Sequence, residues 1–348
     1  WQQPVDAPGP LAGRAELKKI MAFWLDMGAD GFRVDMAGSL VKHDPGRKMT
    51  ISLWQEMREW LDEKFPEAVL ISEWADPGQA ISAGFHVDFM LPFENSGYRS
   101  LFFTGHNPAC FFDPRGEGTI TDFLEEYQRH ARKTRQGYIS VPSGNHDFQR
   151  LNVGRSKRGL EVIFAFLLTW PGVPFIYYGD EIGMKYIRDL PSKEGGYART
   201  GSRTPMQWAD GENAGFSKAS LKKLYLPVDS RKNRPTAKDQ DTRPSSLLNH
   251  VRRLNKLRNS SPALKAKGKM VPLFAEPNTY PFIYLRQKGR EKYLVALNPS
   301  ARKGSASVEV KGCREIKKEL ARGVVVTHQA GRLNIDTSGV SYGIFKIV

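Results

Sequence analysis

The sequence predicts an α/β protein built on a parallel sheet, followed by a smaller antiparallel β domain. Three observations predict it. Short apolar runs alternate with amphipathic helical segments through residues 13–260, the pattern of strand–helix units joined by right-handed crossovers. Three of the predicted strands carry an acid at or just beyond their ends: Asp35, Glu73 and Asp147. Past Pro262 the runs become short and alternating, separated by Gly, Asn, Pro and Lys turns. The expected domains are residues 1–262, with a long loop at 180–244, and residues 263–348.

Residues 1–12, rich in Pro and Gln, read as a loop. Leu17, Ile20, Met21, Trp24 and Met27 then fall at helical spacing, with Gly28 as the stop. The run Gly31-Phe32-Arg33-Val34-Asp35-Met36-Ala37 is the first strand, and 38–49 a polar loop. A second helix carries Leu53, Trp54, Met57, Trp60 and Leu61 and is halted by Pro66. Strands are expected at 69–74, 85–91, 138–141 and 173–178, with helices at 120–131, 159–170 and 247–257. This makes at most five strand–helix units. They fit either an open doubly wound sheet or the later part of an eight-stranded barrel. Runs at 280–285, 293–297, 306–310, 324–327 and 344–348 predict a small β-sandwich with a packing role.

Composition excludes more than it assigns. The formal charge of +15 could attract polyanions, but the Lys and Arg residues are scattered and no nucleic-acid motif accompanies them. The lysine-rich stretches 218–223 and 311–318 read as solvated faces. No run approaches the ~18 apolar residues of a membrane span. Cys110 and Cys313 lie far apart and form no disulfide framework or metal spacing. Nucleic acid and membrane are therefore not expected partners. The chain opens on Trp1 without a signal-peptide pattern, so it reads as a product whose true start lies upstream.

In a strand of period two, Arg33 and Asp35 point to the same side, where the cation keeps the carboxylate ionised. Such a carboxylate can act as a nucleophile, or the pair can simply close the strand. Parallel α/β folds open their strand–helix loops at the C-terminal face, so Asp35, Glu73 and Asp147 can converge there. Like charges that close cannot all ionise, and Glu73, on an apolar strand and followed by Trp74, is the expected protonated member. A protonated acid beside an ionised carboxylate equips a retaining glycosidase. The same acids could also form an ion-pair network or a magnesium site. In the long loop, Trp208 and Phe216 suit either a sugar-stacking surface or pins for the loop.

Gly31-Phe32-Arg33-Val34-Asp35, Leu70-Ile71-Ser72-Glu73-Trp74 and Ser143-Gly144-Asn145-His146-Asp147 resemble three signature regions of the α-amylase family of glycoside hydrolases (family 13), in the family's order. Residues 172–184 are similar to the segment on that family's eighth barrel strand. Arg203-Thr204-Pro205-Met206-Gln207-Trp208 with Asn213-Ala214-Gly215-Phe216 resembles the α-glucosidase, oligo-1,6-glucosidase and trehalose-synthase branch. The resemblance implies Asp35 as nucleophile, Glu73 as general acid/base and Asp147 as stabiliser of the distorted sugar. It implies Arg33, His146 and, by a looser match, Arg150 as substrate-binding residues. The implied activity is retaining hydrolysis of α-glucosidic bonds in α-glucans or malto-oligosaccharides, with transglycosylation or isomerisation as the enzymatic alternative. A non-catalytic carbohydrate-binding relative is the remaining one, and retention of all three acids counts against it. The family's first signature, an Asp…Asn-His motif after the third strand, has no counterpart here. Only the fourth to eighth units of a (β/α)8 barrel are therefore expected, with residues 1–12 as the exit from an inserted domain and the upstream half-barrel as a partner. Family calcium sites draw ligands from that upstream part, so no metal or other cofactor is assignable.

Overall fold

The structure is a computed structural model and describes residues 3–93, 96–103, 109–134, 136–192, 199–329 and 331–348. Trp1 and residues 193–198 of the long loop fall outside these. The first elements in chain order are α1 (Pro8–Asp26), β1 (Gly31–Val34), α2 (Lys48–Lys64), β2 (Val69–Ser72), α3 (Pro77–Ser82) and β3 (Val87–Phe89). They are followed by α4 (Gly97–Phe102), α5 (Thr121–Ala131), β4 (Tyr138–Ser140), α6 (Lys157–Thr169), α7 (Ala237–Asp241) and α8 (Leu247–Ser260). Strands β5 (Lys269–Phe274), β6 (Phe282–Lys288), β7 (Glu291–Asn298), β8 (Gly304–Glu309), β9 (Ile316–Gln329) and β10 (Arg332–Ile347) complete the chain. Two compact units result: Trp1–Phe93 with Glu125–Ser140, and Glu94–Leu124 with Val141–Val348.

In the first unit, α1 starts inside the stretch read from sequence as loop. Pro8 occupies its first turn, where a missing N–H leaves no intrahelical bond unmade. The apolar stripe of α1 is wider than the face it buries. Met21 and Leu25 are inside, whereas Ile20, Phe23, Trp24 and Met27 are half exposed or more. The four strands are parallel in the order β1-β2-β3-β4. Gly31 faces Val69 with φ +147°, and a Cβ there would lie 2.1 Å from the Val69 carbonyl oxygen. Only glycine lets the two backbones come so close. Leu70 of β2 packs with Trp54, Met57 and Leu61 of α2 and with Trp74 and Phe85. Full burial of each such side chain contributes roughly 1.5–3 kcal/mol.

The expected strand at 173–178 joins no sheet among the described residues. The Ser143 amide donates to the Phe175 carbonyl at 2.9 Å, but the Tyr177 amide turns to the Ser143 hydroxyl at 2.9 Å. A side chain replaces the backbone partner, and Pro174 has no N–H to offer. Behind this segment α6 is buried from Leu160 to Thr169. Phe166 and Trp170 pack with Phe123, and Trp170 also meets Tyr284 of β6. Arg258 of α8 ties the end of α6 down through the Trp170 carbonyl at 2.8 Å. The antiparallel sheet runs β5-β6-β7-β10-β8, with β9 also on β10. Strand β10 is long enough to pair with β8 through its first half and β7 through its second, its register with β9 breaking between Thr337 and Tyr342. Ile283, Leu294, Val308, Leu333, Ile335 and Phe345 fill the core of this region.

Candidate active site

Asp35 lies one residue past β1 and Glu73 one residue past β2, so the parallel register sets them side by side. The backbone fixes the second acid. The Glu73 amide donates to Val34 at 2.9 Å, and its carbonyl accepts from Ala37 at 3.2 Å. One guanidinium then joins both side chains: Arg33 Nη1 contacts Asp35 Oδ1 at 2.5 Å and Nη2 contacts Glu73 Oε1 at 2.8 Å. Arg33, expected beside Asp35 alone, is shared by both acids. The two acids differ in setting, since the Asp35 side chain is 72% exposed and that of Glu73 13%. The Met36 amide reaches Glu73 Oε2 at 3.3 Å, drawn there by a left-handed backbone at Met36 (φ 42°). Ala75, two residues past Glu73, is also left-handed at φ 62°. Such strain in non-glycine residues gathers at functional sites.

In the second unit Asp147 carries a dense set of donors. Arg199 and Arg203 contact its Oδ1 at 2.8 and 2.9 Å, and His146 Nε2 stands 3.3 Å from Oδ2. Its own amide closes a turn on Asn145 at 2.7 Å, and Arg203 further holds the His146 carbonyl at 2.8 Å. Arg150, expected to touch substrate, is only 1% exposed. Its guanidinium donates to the Tyr178 and Ser202 carbonyls and pairs with Asp180 at 3.1 Å, lying over the Tyr177 and Tyr178 rings. In this geometry it braces the loops that carry Asp147. Burial pushes the Asp180 carboxyl up against the opposing pull of Arg150.

Trp208 and Phe216 are half exposed and, with Tyr178, Met206, Tyr225, Glu181 and Arg203, line a cavity of about 410 Å³. The loop is pinned by other groups. Trp208 and Ala209 amides bond to the Ala214 carbonyl, and Asn213 bonds to the Ser217 carbonyl at 2.8 Å. Arg199 and Asp88 were not singled out from sequence. Arg199 comes from a distant loop, and the sequence signal for Asp88 is only an acid inside an apolar strand, Val87–Phe89. Among the described residues, no cluster of three or more His, Cys, Asp or Glu could hold a metal, and no helix is long and apolar enough to cross a membrane.

Strand-end acids on a parallel sheet, joined by one arginine, are the setting of a glycosidase-type site, and comparison with known proteins defines the class. The alpha-amylase catalytic-domain model matches residues 12–267, and the chain belongs to that family. Its parallel sheet belongs to a (β/α)8-barrel fold family, and its antiparallel sheet to the β-sheet C-terminal domain that accompanies it. Trehalose synthase of Thermus thermophilus is 28% identical over 86% of this chain and 34% of its own length. Maltase A2 of Drosophila melanogaster is 25% identical over 73% of this chain and 49% of its own. The chain thus spans between a third and a half of these relatives. The α-amylase from H. orenii superposes with a TM-score of 0.75 at 19% identity, covering 99% of this chain and 66% of that one. A MutB variant in complex with the substrate sucrose gives 0.78 at 21% identity, covering 99% and 69%.

Proposed function

We propose that this chain carries the nucleophile and the general acid/base of a retaining enzyme acting on α-glucosidic bonds of α-glucans or malto-oligosaccharides. The observation that carries the reading is the Arg33 bridge between Asp35 and Glu73 at the C-terminal ends of neighbouring parallel strands. Asp35 attacks the anomeric carbon while Glu73 gives its proton to the departing glycosidic oxygen. The covalent glucosyl-enzyme is then opened by water, with Glu73 taking the proton back, and two inversions leave the configuration retained. The family resemblance gives Asp147, held by Arg199, Arg203 and His146, the role of stabilising the oxocarbenium-like sugar, and His146 that of a donor to a sugar hydroxyl. The domains are read as 1–262 and 263–348, the first being the fourth to eighth units of the barrel. The upstream half-barrel is the expected partner, and the chain spans only part of its relatives' length.

A second reading replaces the water by a hydroxyl of the released sugar, giving isomerisation or transfer. It is favoured by the trehalose synthase match over most of the chain. Both readings share the first step and are tested together in the complete protein. Asp35→Asn should abolish the glucosyl-enzyme trapped by a slow α-glucosyl fluoride and seen by mass spectrometry. Glu73→Gln should lose ~100-fold or more on poor leaving groups and far less on activated ones. Equal losses on both would remove Glu73 from the acid role. Product analysis with maltose then separates glucose release from a rearranged disaccharide.

A further inference from the structure

Asp88 sits inside the sheet with no part in the chemistry above. It lies opposite Ser72 on β2 and opposite Ile139 on β4, and it is fully buried. Its Oδ1 accepts from the Ser72 hydroxyl at 2.7 Å and from the Trp74 amide at 3.0 Å. These two donors flank Glu73. Among the described residues its Oδ2 has no hydrogen-bond partner, and no salt bridge reaches the carboxyl. A buried carboxylate with neither a cation nor a full set of donors is costly to keep for packing alone.

We propose that Asp88 is a positioning residue that fixes the direction of the Glu73 side chain, which rests on the reading of Glu73 as the general acid. The chain of contacts is short. On the β1 side the Glu73 backbone is held by Val34 and Ala37. Among the described residues no backbone bond from the β3 side holds Glu73 itself, so Asp88 grips the residues before and after it. The grip also spans the turn that leads into the left-handed Ala75, which would otherwise relax and swing Glu73. One acceptor oxygen does this work, so the negative charge is not required. Burial raises the Asp88 carboxyl to about 7, with the Ser72 hydroxyl and the Trp74 amide pulling the other way. A proton on Oδ2 leaves both donors to Oδ1 in place. On the neighbouring strand β4, Ile139 and Ser140 carry no charge.

Two near-isosteric variants should therefore differ sharply. In the complete protein, Asp88→Asn keeps the acceptor and should cleave poor and activated α-glucosides within about threefold of the parent. Asp88→Leu removes it and should lose roughly 10- to 100-fold on poor leaving groups, the scale expected for a misplaced catalytic group, and much less on activated ones. Ser72→Ala deletes one donor without touching the buried acid and should show the same bias more weakly; it decides the question if Asp88→Leu does not fold. Glu73→Gln run alongside separates the two readings. If it lacks the leaving-group bias, Glu73 is not the acid. If it has the bias but Asp88→Leu and Ser72→Ala act equally on both substrates, Asp88 is not a positioning residue.

Discussion

At the scale of single residues, the candidate site depends on a planar cation that serves two acids at once. Lysine offers a point charge and cannot hold two carboxylates in a fixed fork. Arg33→Lys should therefore lower kcat/KM by roughly 10- to 100-fold, the equivalent of one charge-assisted bond of ~1.5–3 kcal/mol, with unchanged circular dichroism. A loss under twofold would mean that the bridge is incidental. Buried titratable groups give a second prediction, with opposite signs in the two units. Burial holds His250 down at about 4 against an ordinary 6.5, so the unfolded chain binds its proton first and stability falls as pH drops through that window. Asp88 is raised to about 7 from 3.8, so the folded chain keeps its proton longer and stability falls as pH rises between those values. Asp88→Asn should thus stabilise the protein at pH 8, by up to about 4 kcal/mol, and do little near pH 4, as read by denaturant unfolding at both. A pH-independent effect would contradict the burial argument. Asp35 and Glu73 stand one residue past strands that apolar runs made legible, whereas Asp147 lies in the loop after β4 and was legible only from the run at 143–147. Arg199 and Asp88 were not, because their partners are set by loop contact and strand register, which no local pattern encodes.

At the scale of elements, helices and strands were legible wherever one face was simply buried. The 4-residue strands β1 and β2 sit where apolar runs placed them. The run at 173–178 has the same composition but no ladder, since the Ser143 hydroxyl takes the place of a backbone partner. A hydrophobic run reports burial, not pairing. The stripe on α1 failed differently, because its apolar face is wider than the one the first unit covers. Gly31 leaves no room for a side chain against Val69. A methyl group there meets backbone at 2.1 Å in a region of φ that L-residues avoid. Gly31→Ala should destabilise by about 3 kcal/mol or more and displace Arg33 and Asp35, whereas Gly13→Ala, in α1 with no atom within 4 Å, should be neutral or stabilising. Equal unfolding midpoints for the two variants would refute the steric account.

At the scale of the molecule, the acids are present but orientation of a sugar needs more than acids. Among the described residues β1 pairs on one side only, with β2, and leaves the other edge of its backbone open. Ile20, Phe23, Trp24 and Met27 give α1 an exposed apolar face as well. Open edges and apolar patches of this kind seek partners. The proposed partner is the upstream half-barrel, and the chain spans only part of its relatives' length. The 348-residue chain alone should therefore self-associate and show little or no cleavage of maltose or p-nitrophenyl α-glucoside. Adding the upstream polypeptide should restore both a defined size in sedimentation and activity, because a substrate misplaced by ~1 Å can lose ~100-fold. Trp24→Lys provides the control, since it should raise the monomer fraction of the lone chain while weakening its capture of the upstream part. Full activity from a monomer of this chain would show that the three acids and their arginines suffice, and that the open face of α1 has no part in assembling the site.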